Sequence, residues 1–210
     1  DLPNYPDPTL NPTPEDLPYA VVVSNPNEMD AEVTFKSFAS LPVLVADPVV
    51  PAGESRVFMM PVINVSKTGV SKSAIRLSST RPVLVHQFNP WDNQFSNDAS
   101  LLLPEPMLGS DHVILTWPTT PIEAINFPGL PADNQNGYFT VVAVHDDTSV
   151  TIQITAPIKA GPGVKAMGPG GLQVIKLNRG EVLNVEADPE SLFGKMDLSG
   201  STVTSSKPVA

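Results

Sequence analysis

The sequence carries the same β pattern twice. Tyr19, Val22, Val23 and the run Val33-Thr34-Phe35 recur as Tyr138, Val141, Val142 and Val150-Thr151-Ile152. Ser79-Thr80-Arg81-Pro82-Val83 recurs as Ser205-Ser206-Lys207-Pro208-Val209, and between these anchors Arg56-Val57-Phe58 answers to Gln173-Val174-Ile175. A strand-turn-strand segment copied in tandem buries its apolar side chains by stacking sheets against each other. The duplication therefore predicts an all-β chain of two related β-sandwich-like repeats, jelly-roll or Ig-like, made of antiparallel strands with little helix. Such a platform more often displays a surface than encloses a reaction.

Proline supports the same reading. Among 210 residues there are 24 Pro and 13 Gly, and proline interrupts helices because it lacks an amide donor and clashes with the preceding turn. The chain is long enough to bury a core without metal or disulfide staples. Its formal charge of −10 repels phosphate backbones, and no Lys/Arg cluster offers a local exception, so nucleic acid and anionic membrane are poor partners. No apolar run approaches the roughly 20 residues that cross a bilayer as a helix, and the start, Asp1-Leu2-Pro3-Asn4, lacks the charged and apolar regions of a signal peptide. There is no cysteine.

Four segments are expected. Residues 1–18 hold Pro3, Pro6, Pro8, Pro12, Pro14 and Pro18 and read as an extended arm or surface loop. Residues 19–116 form the first β repeat, beginning with a hairpin of 20–24 and 31–38 joined at Asn25-Pro26-Asn27. Residues 117–137, with four prolines and the polar tract Asp133-Asn134-Gln135-Asn136-Gly137, connect the copies. Residues 138–210 form the second repeat, where Val150, Ile152 and Ile154 alternate with Thr151, Gln153 and Thr155 as in a half-buried strand. Its last strand is expected to be cut short, because the first copy runs on from Pro82 through Val83-Leu84-Val85-His86-Gln87-Phe88 while Pro208 is followed by Val209 and Ala210. One helical turn is expected at Pro189-Glu190-Ser191-Leu192-Phe193.

Few residues suggest chemistry. His86, His112 and His145 lack the close partners that zinc sites show in sequence, and read as strand or turn side chains. No Gly-x-Ser-x-Gly elbow is present, and Leu198-Ser199-Gly200-Ser201 makes a turn. Gly161-Pro162-Gly163 and Gly168-Pro169-Gly170-Gly171 open no helix and precede no Walker lysine, so they are turns rather than phosphate cradles. Acidic turns supply oxygen ligands of the kind Ca²⁺ takes, with Asp146 and Asp147 as the candidates. They lack the spacing of a dedicated calcium loop, so ordinary turn chemistry is the first reading and calcium the second. The stretch Phe88-Asn89-Pro90-Trp91-Asp92-Asn93-Gln94-Phe95 sets aromatics beside amides, a combination that stacks and hydrogen-bonds sugars or peptides. Trp91, Asp92, Asn93 and Phe95 are the candidate ligand contacts, against the plainer reading of a packed corner.

Several longer stretches are identifiable together: Tyr19-Ala20-Val21-Val22-Val23-Ser24-Asn25-Pro26, Val50-Pro51-Ala52-Gly53, Pro82 to Pro90, Ser96-Asn97-Asp98-Ala99-Ser100-Leu101-Leu102-Leu103-Pro104, and Leu198 to Val203 with Lys207-Pro208-Val209-Ala210. With these the chain resembles the IgGFc-binding protein N-terminal domain family over most of its length. The resemblance implies a protein of animal mucus or, in bacteria, myxobacteria among them, a secreted or surface-attached one. It implies no catalytic residue, and the animal name refers to binding an antibody Fc region. Members commonly carry a cysteine-containing segment ahead of the first strand and a Gly-His-Glu-Cys-like stretch after Lys-Pro-Val-Ala; this sequence has neither.

The expected function is an extracellular or cell-surface recognition or adhesion module, non-catalytic, that binds protein or glycan through its inter-strand loops. A structural spacer within a large surface protein is the alternative. A metal-dependent hydrolase is a third reading and requires His86, His112 or His145 to converge with Asp or Glu.

Overall fold

A computed structural model describes residues 17–91, 98–119, 136–189 and 197–210. The proline-rich stretch 1–16, Asp92, Asn93 and Phe95, most of the expected connection and the expected helical turn beyond Pro189 lie outside the described residues. Among the described residues fourteen strands follow in chain order: β1 Ala20–Ser24, β2 Ala31–Ser37, β3 Val49–Val50, β4 Ser55–Met59, β5 Gly69–Lys72, β6 Ile75–Ser79, β7 Leu84–Asn89, β8 Asp98–Leu101, β9 Gly109–Val113, β10 Tyr138–Val142, β11 Thr148–Gln153, β12 Leu172–Leu177, β13 Glu181–Glu186 and β14 Thr202–Val209. A single 3₁₀ turn, Glu105–Met107, is the one helical element among the described residues. The fold is all-β, and every ladder is antiparallel.

The chain forms two compact units. One takes the chain up to Asn64 and then Ile75–Pro104; the other takes Val65–Ala74 and Glu105–Ala210. β5 therefore pairs with β13, and β9 with β14, inside the second unit.

In the first unit the sheets run β4-β1-β7-β8 and β3-β2-β6. Their inner faces meet in a core of Val21, Val23, Val33, Val50, Phe58 and Met60, with the Phe35 and Phe58 rings 5.2 Å apart. In the second unit the sheets run β10-β13-β5 and β12-β11-β14-β9. They enclose a larger core that includes Phe139, Val141, Val150, Ile152, Ile154, Leu177, Leu183, Val185 and Val203. The alternation read in β11 holds: Val150, Ile152 and Ile154 are all buried, as one face of a pleated strand requires.

The expected hairpins are not made. β1 pairs with β4 and β7, while β2 pairs with β3 and β6. The chain crosses from one sheet to the other at Asn25, so Val21 and Val23 face Val33 across the core instead of lying beside it. Asn25 enforces the crossing. Its buried Nδ2 donates to the carbonyls of Met29, Val50 and Pro51 at 3.0, 2.9 and 3.2 Å, and its Oδ1 accepts from the Asn27 N–H at 3.1 Å. One buried side chain thus ties together the carbonyls of three residues on the two sides of the crossing. The second unit does the same at His145-Asp146-Asp147, where β10 joins β13 and β11 joins β12 and β14.

The returns also cross between sheets, from β3 to β4 and from β12 to β13. The Gly53 N–H donates to the Asn25 carbonyl at 3.0 Å and the Asn25 N–H to the Glu54 carbonyl at 2.9 Å. In the second unit the Gly180 N–H donates to the Ala143 carbonyl at 2.9 Å and the Ala143 N–H to the Glu181 carbonyl at 3.0 Å. By its partners β4 therefore corresponds to β13, not to the Gln173-Val174-Ile175 strand with which its sequence was aligned. Short strands of similar alternation cannot be told apart by pattern; their turns can.

Candidate binding surface

The sequence candidates fall in different places. Trp91 is 37% exposed. Its ring stands edge-on to Phe88 at 5.3 Å, and its backbone N–H donates to the Pro18 carbonyl at 2.9 Å, so the side chain is packed on one side and partly exposed on the other. Asp146 and Asp147 sit in the crossing between β10 and β11. One Asp146 carboxylate oxygen accepts the Arg179 N–H at 3.1 Å, its carbonyl accepts the Lys207 ammonium, and the Asp147 N–H donates to Asn178 Oδ1 at 3.3 Å. These acidic residues lace two turns together.

His86 lies in the middle of β7 between Val22 and Leu101, His112 Nε2 is 3.2 Å from the Gly109 carbonyl, and His145 Nδ1 is 3.4 Å from Arg179. Among the described residues no group of three His, Cys, Asp or Glu is placed to hold a metal ion. Ser199 and Ser201 are structural: Ser199 Oγ donates to the Thr116 carbonyl at 3.1 Å and accepts the Thr116 N–H at 3.0 Å, while Ser201 Oγ accepts the Thr155 N–H at 3.1 Å. Burial pushes the Tyr19 phenol up to about 12. Tyr138 is raised by burial and then by the Glu186 carboxylate. Asp47 is held below the usual carboxylate range by the Val49 N–H and then by Arg56.

A row of highly exposed apolar side chains lies elsewhere. Val113, Leu115 and Trp117, at the end of β9 and just beyond it, are 77%, 89% and 75% exposed. The residues between them are held: Ile114 packs against the core, and Thr116 Oγ1 donates to Asp197 Oδ1 at 3.2 Å. The strand alternates, but with its bulkiest side chains outward. Soluble proteins expose single apolar residues routinely, whereas three in alternate positions make a candidate contact surface.

Among the described residues β9 is the edge of its sheet, and its outer face continues inward through threonine. Val113 stands beside Thr202, Thr202 beside Gln153 and Gln153 beside Leu172; the next row runs Asp111, Thr204, Thr151 and Val174. Leu172 and Val174 are exposed at the far margin. The first unit has a comparable row on its β4-β1-β7-β8 sheet, Val57, Val22, His86 and Leu101.

Sequence reasoning placed Val113 and Leu115 inside the first repeat and Trp117 at the start of the connection. The period-2 signal was present, but Val113-Ile114-Leu115 is apolar on both sides. Which side faces water depends on where β14 docks. A separate shallow groove in the second unit is lined by Ile158, Ala166, Met167 and Pro169, with Asp188 as its acidic group.

No helix among the described residues is long and apolar enough to cross a membrane. No curated protein and no solved structure matches the chain. The profile of the family described as IgGFc binding protein matches residues 98–210, more than half of the sequence and the whole run from β8 through β14. The chain belongs to the IgGFc binding protein family.

Proposed function

We propose that this chain is a non-catalytic recognition or adhesion module, extracellular or at a cell surface, that binds a protein or a glycan. The observation that carries the reading is the outward row Val113, Leu115 and Trp117 within the family-matched region. Its three side chains are each at least three-quarters exposed, and Trp117 adds an indole donor of the kind that anchors interfaces. Trp91, with Asp92, Asn93 and Phe95, is proposed as a second contact, because an indole half committed to packing is held rigid for a partner. Calcium at Asp146 and Asp147 is not required by this reading. The formal charge of −10 directs the surface away from nucleic acid.

The same reading takes the two units as copies of one arrangement. It is supported by the like pairings β1 with β4 and β10 with β13, by β2 and β11 each lying between two strands, and by the paired bonds of Gly53 and Gly180.

Protein and glycan arrays probed with the whole chain test the proposal. Binding that weakens on replacing Val113, Leu115 and Trp117 together by serine identifies the main contact, and binding that weakens on Trp91→Ala identifies the second. Silence of the folded chain on both arrays would overturn the reading.

A further inference from the structure

We infer that the open edge of β9, from Asp111 to Leu115, is a strand-acceptor site, and that it takes an extended segment of a partner protein with alternating apolar side chains and basic flanks. The inference deepens the binding-module reading and rests on it.

Backbone direction is the first argument. The Ile114 N–H donates to the Ser201 carbonyl and the Ile114 carbonyl accepts the Gly200 N–H, both at 2.8 Å. The Thr116 N–H and carbonyl are taken by Ser199, and the Ser110 carbonyl accepts from Ser205 Oγ at 3.3 Å. Every even-numbered residue thus turns its peptide groups toward β14 and the turn before it. Along an antiparallel strand successive residues point their peptide groups to opposite sides, so Asp111, Val113 and Leu115 present theirs to the open side. The opening ends at Trp117, whose carbonyl lies so close to Gly137 that a Cβ there would meet it at 2.3 Å. The free stretch has room for a short strand.

The second argument is that the guard is thin, one carboxylate at Asp111. Exposed edges are normally blunted by lysine, proline or an inward charge. Gly109-Ser110-Asp111-His112-Val113-Ile114-Leu115-Thr116 contains no lysine, arginine or proline, and the side chains beside the open peptide groups are the exposed Val113 and Leu115. An added strand would satisfy the peptide groups and cover the apolar row with its own alternate side chains, the two halves of recognition by strand addition.

Charge selects the occupant. The one charged side chain in this stretch is Asp111, and each chain carries a formal −10, so a second copy meets like charge while a segment with basic flanks meets opposite charge. A glycan offers no repeating row of amide donors and carbonyl acceptors.

The test uses the whole chain and a synthetic peptide of alternating valine and threonine with lysine at both ends. Hydrogen exchange should slow at the Val113 and Leu115 amides when the peptide is added, and calorimetry should report binding below about 1 mM. Leu115→Pro removes an outward donor without touching the bonds to β14, and should weaken binding at least about tenfold, the equivalent of one hydrogen bond. Leu115→Ala keeps the donor and should weaken it less. Unchanged exchange at the β14 amides verifies that both variants are folded.

Peptide binding that survives Leu115→Pro, or no protection at that concentration, overturns strand addition. An array partner bound equally by Leu115→Pro overturns it too while leaving the binding-module reading intact; array silence removes both. Protection of Val113 and Leu115 that grows with protein concentration, accompanied by dimers in sedimentation, assigns the edge to a second copy and overturns the proposal.

Discussion

Gly53 and Gly180 occupy like positions in two turns of like bonding, Gly53 donating its N–H back to Asn25, just after β1, at 3.0 Å and Gly180 to Ala143, just after β10, at 2.9 Å. Both have positive φ, 71° and 81°, where a Cβ crowds the backbone. Nothing lies within 4 Å of a Cβ built on Gly53, so the cost of a side chain there is conformational alone. Gly53→Ala and Gly180→Ala should each destabilise by about 1 kcal/mol, measured by urea denaturation.

Asn25 is the stronger hold on the first crossing. Removing its amide leaves the Met29, Val50 and Pro51 carbonyls without the donor they share. Asn25→Ala should cost about 2 kcal/mol, and Asn25→Asp more, because a carboxylate would face the same carbonyls with no donor. Equal stability of the two variants in urea would show that the carbonyls find water instead.

Both crossings were hidden in the sequence, and the reason is physical. Strand identity was legible, since Val150, Ile152 and Ile154 announce a buried face by their spacing. Whether two successive strands lie side by side or face to face is decided at long range, by the Asn25 side chain reaching Val50 and Pro51. β5 was illegible for another reason. Gly69-Val70-Ser71-Lys72 has no apolar period of its own and becomes a strand by pairing with β13, so its placement in the second unit could not be read locally. The candidate contacts divide likewise: the aromatic and amide cluster at Trp91 stands out in any sequence, whereas Leu115 and Trp117 become notable once Ile114 and Thr116 are seen to be held.

Tyr19 predicts an alkaline limit. Its phenol rises from the ordinary 10 to about 12 because burial disfavours the phenolate. The folded state then holds the proton more tightly than the unfolded state, so this contribution is complete below about pH 10 and is lost as pH rises toward 12. Thermal melting across that range should fall less steeply for Tyr19→Phe than for the parent chain.

Ile152 tests the larger core. It is fully buried in β11, with Gln173 beside it on β12 and Val203 on β14. Ile152→Ala should cost about 3 kcal/mol by lost burial and the cavity left behind, and Ile152→Val about 1 kcal/mol. Denaturant midpoints that fail to rank in this order would mean that the site collapses around the smaller side chain.

The ten residues from Val65 to Ala74 leave one unit, serve the other, and return. Severing the polypeptide at any one peptide bond cannot yield two autonomous halves: a piece starting at Glu105 would lack the strand that flanks Leu183 and Asn184. Whatever history produced the two arrangements, they are now inherited, synthesised and lost together.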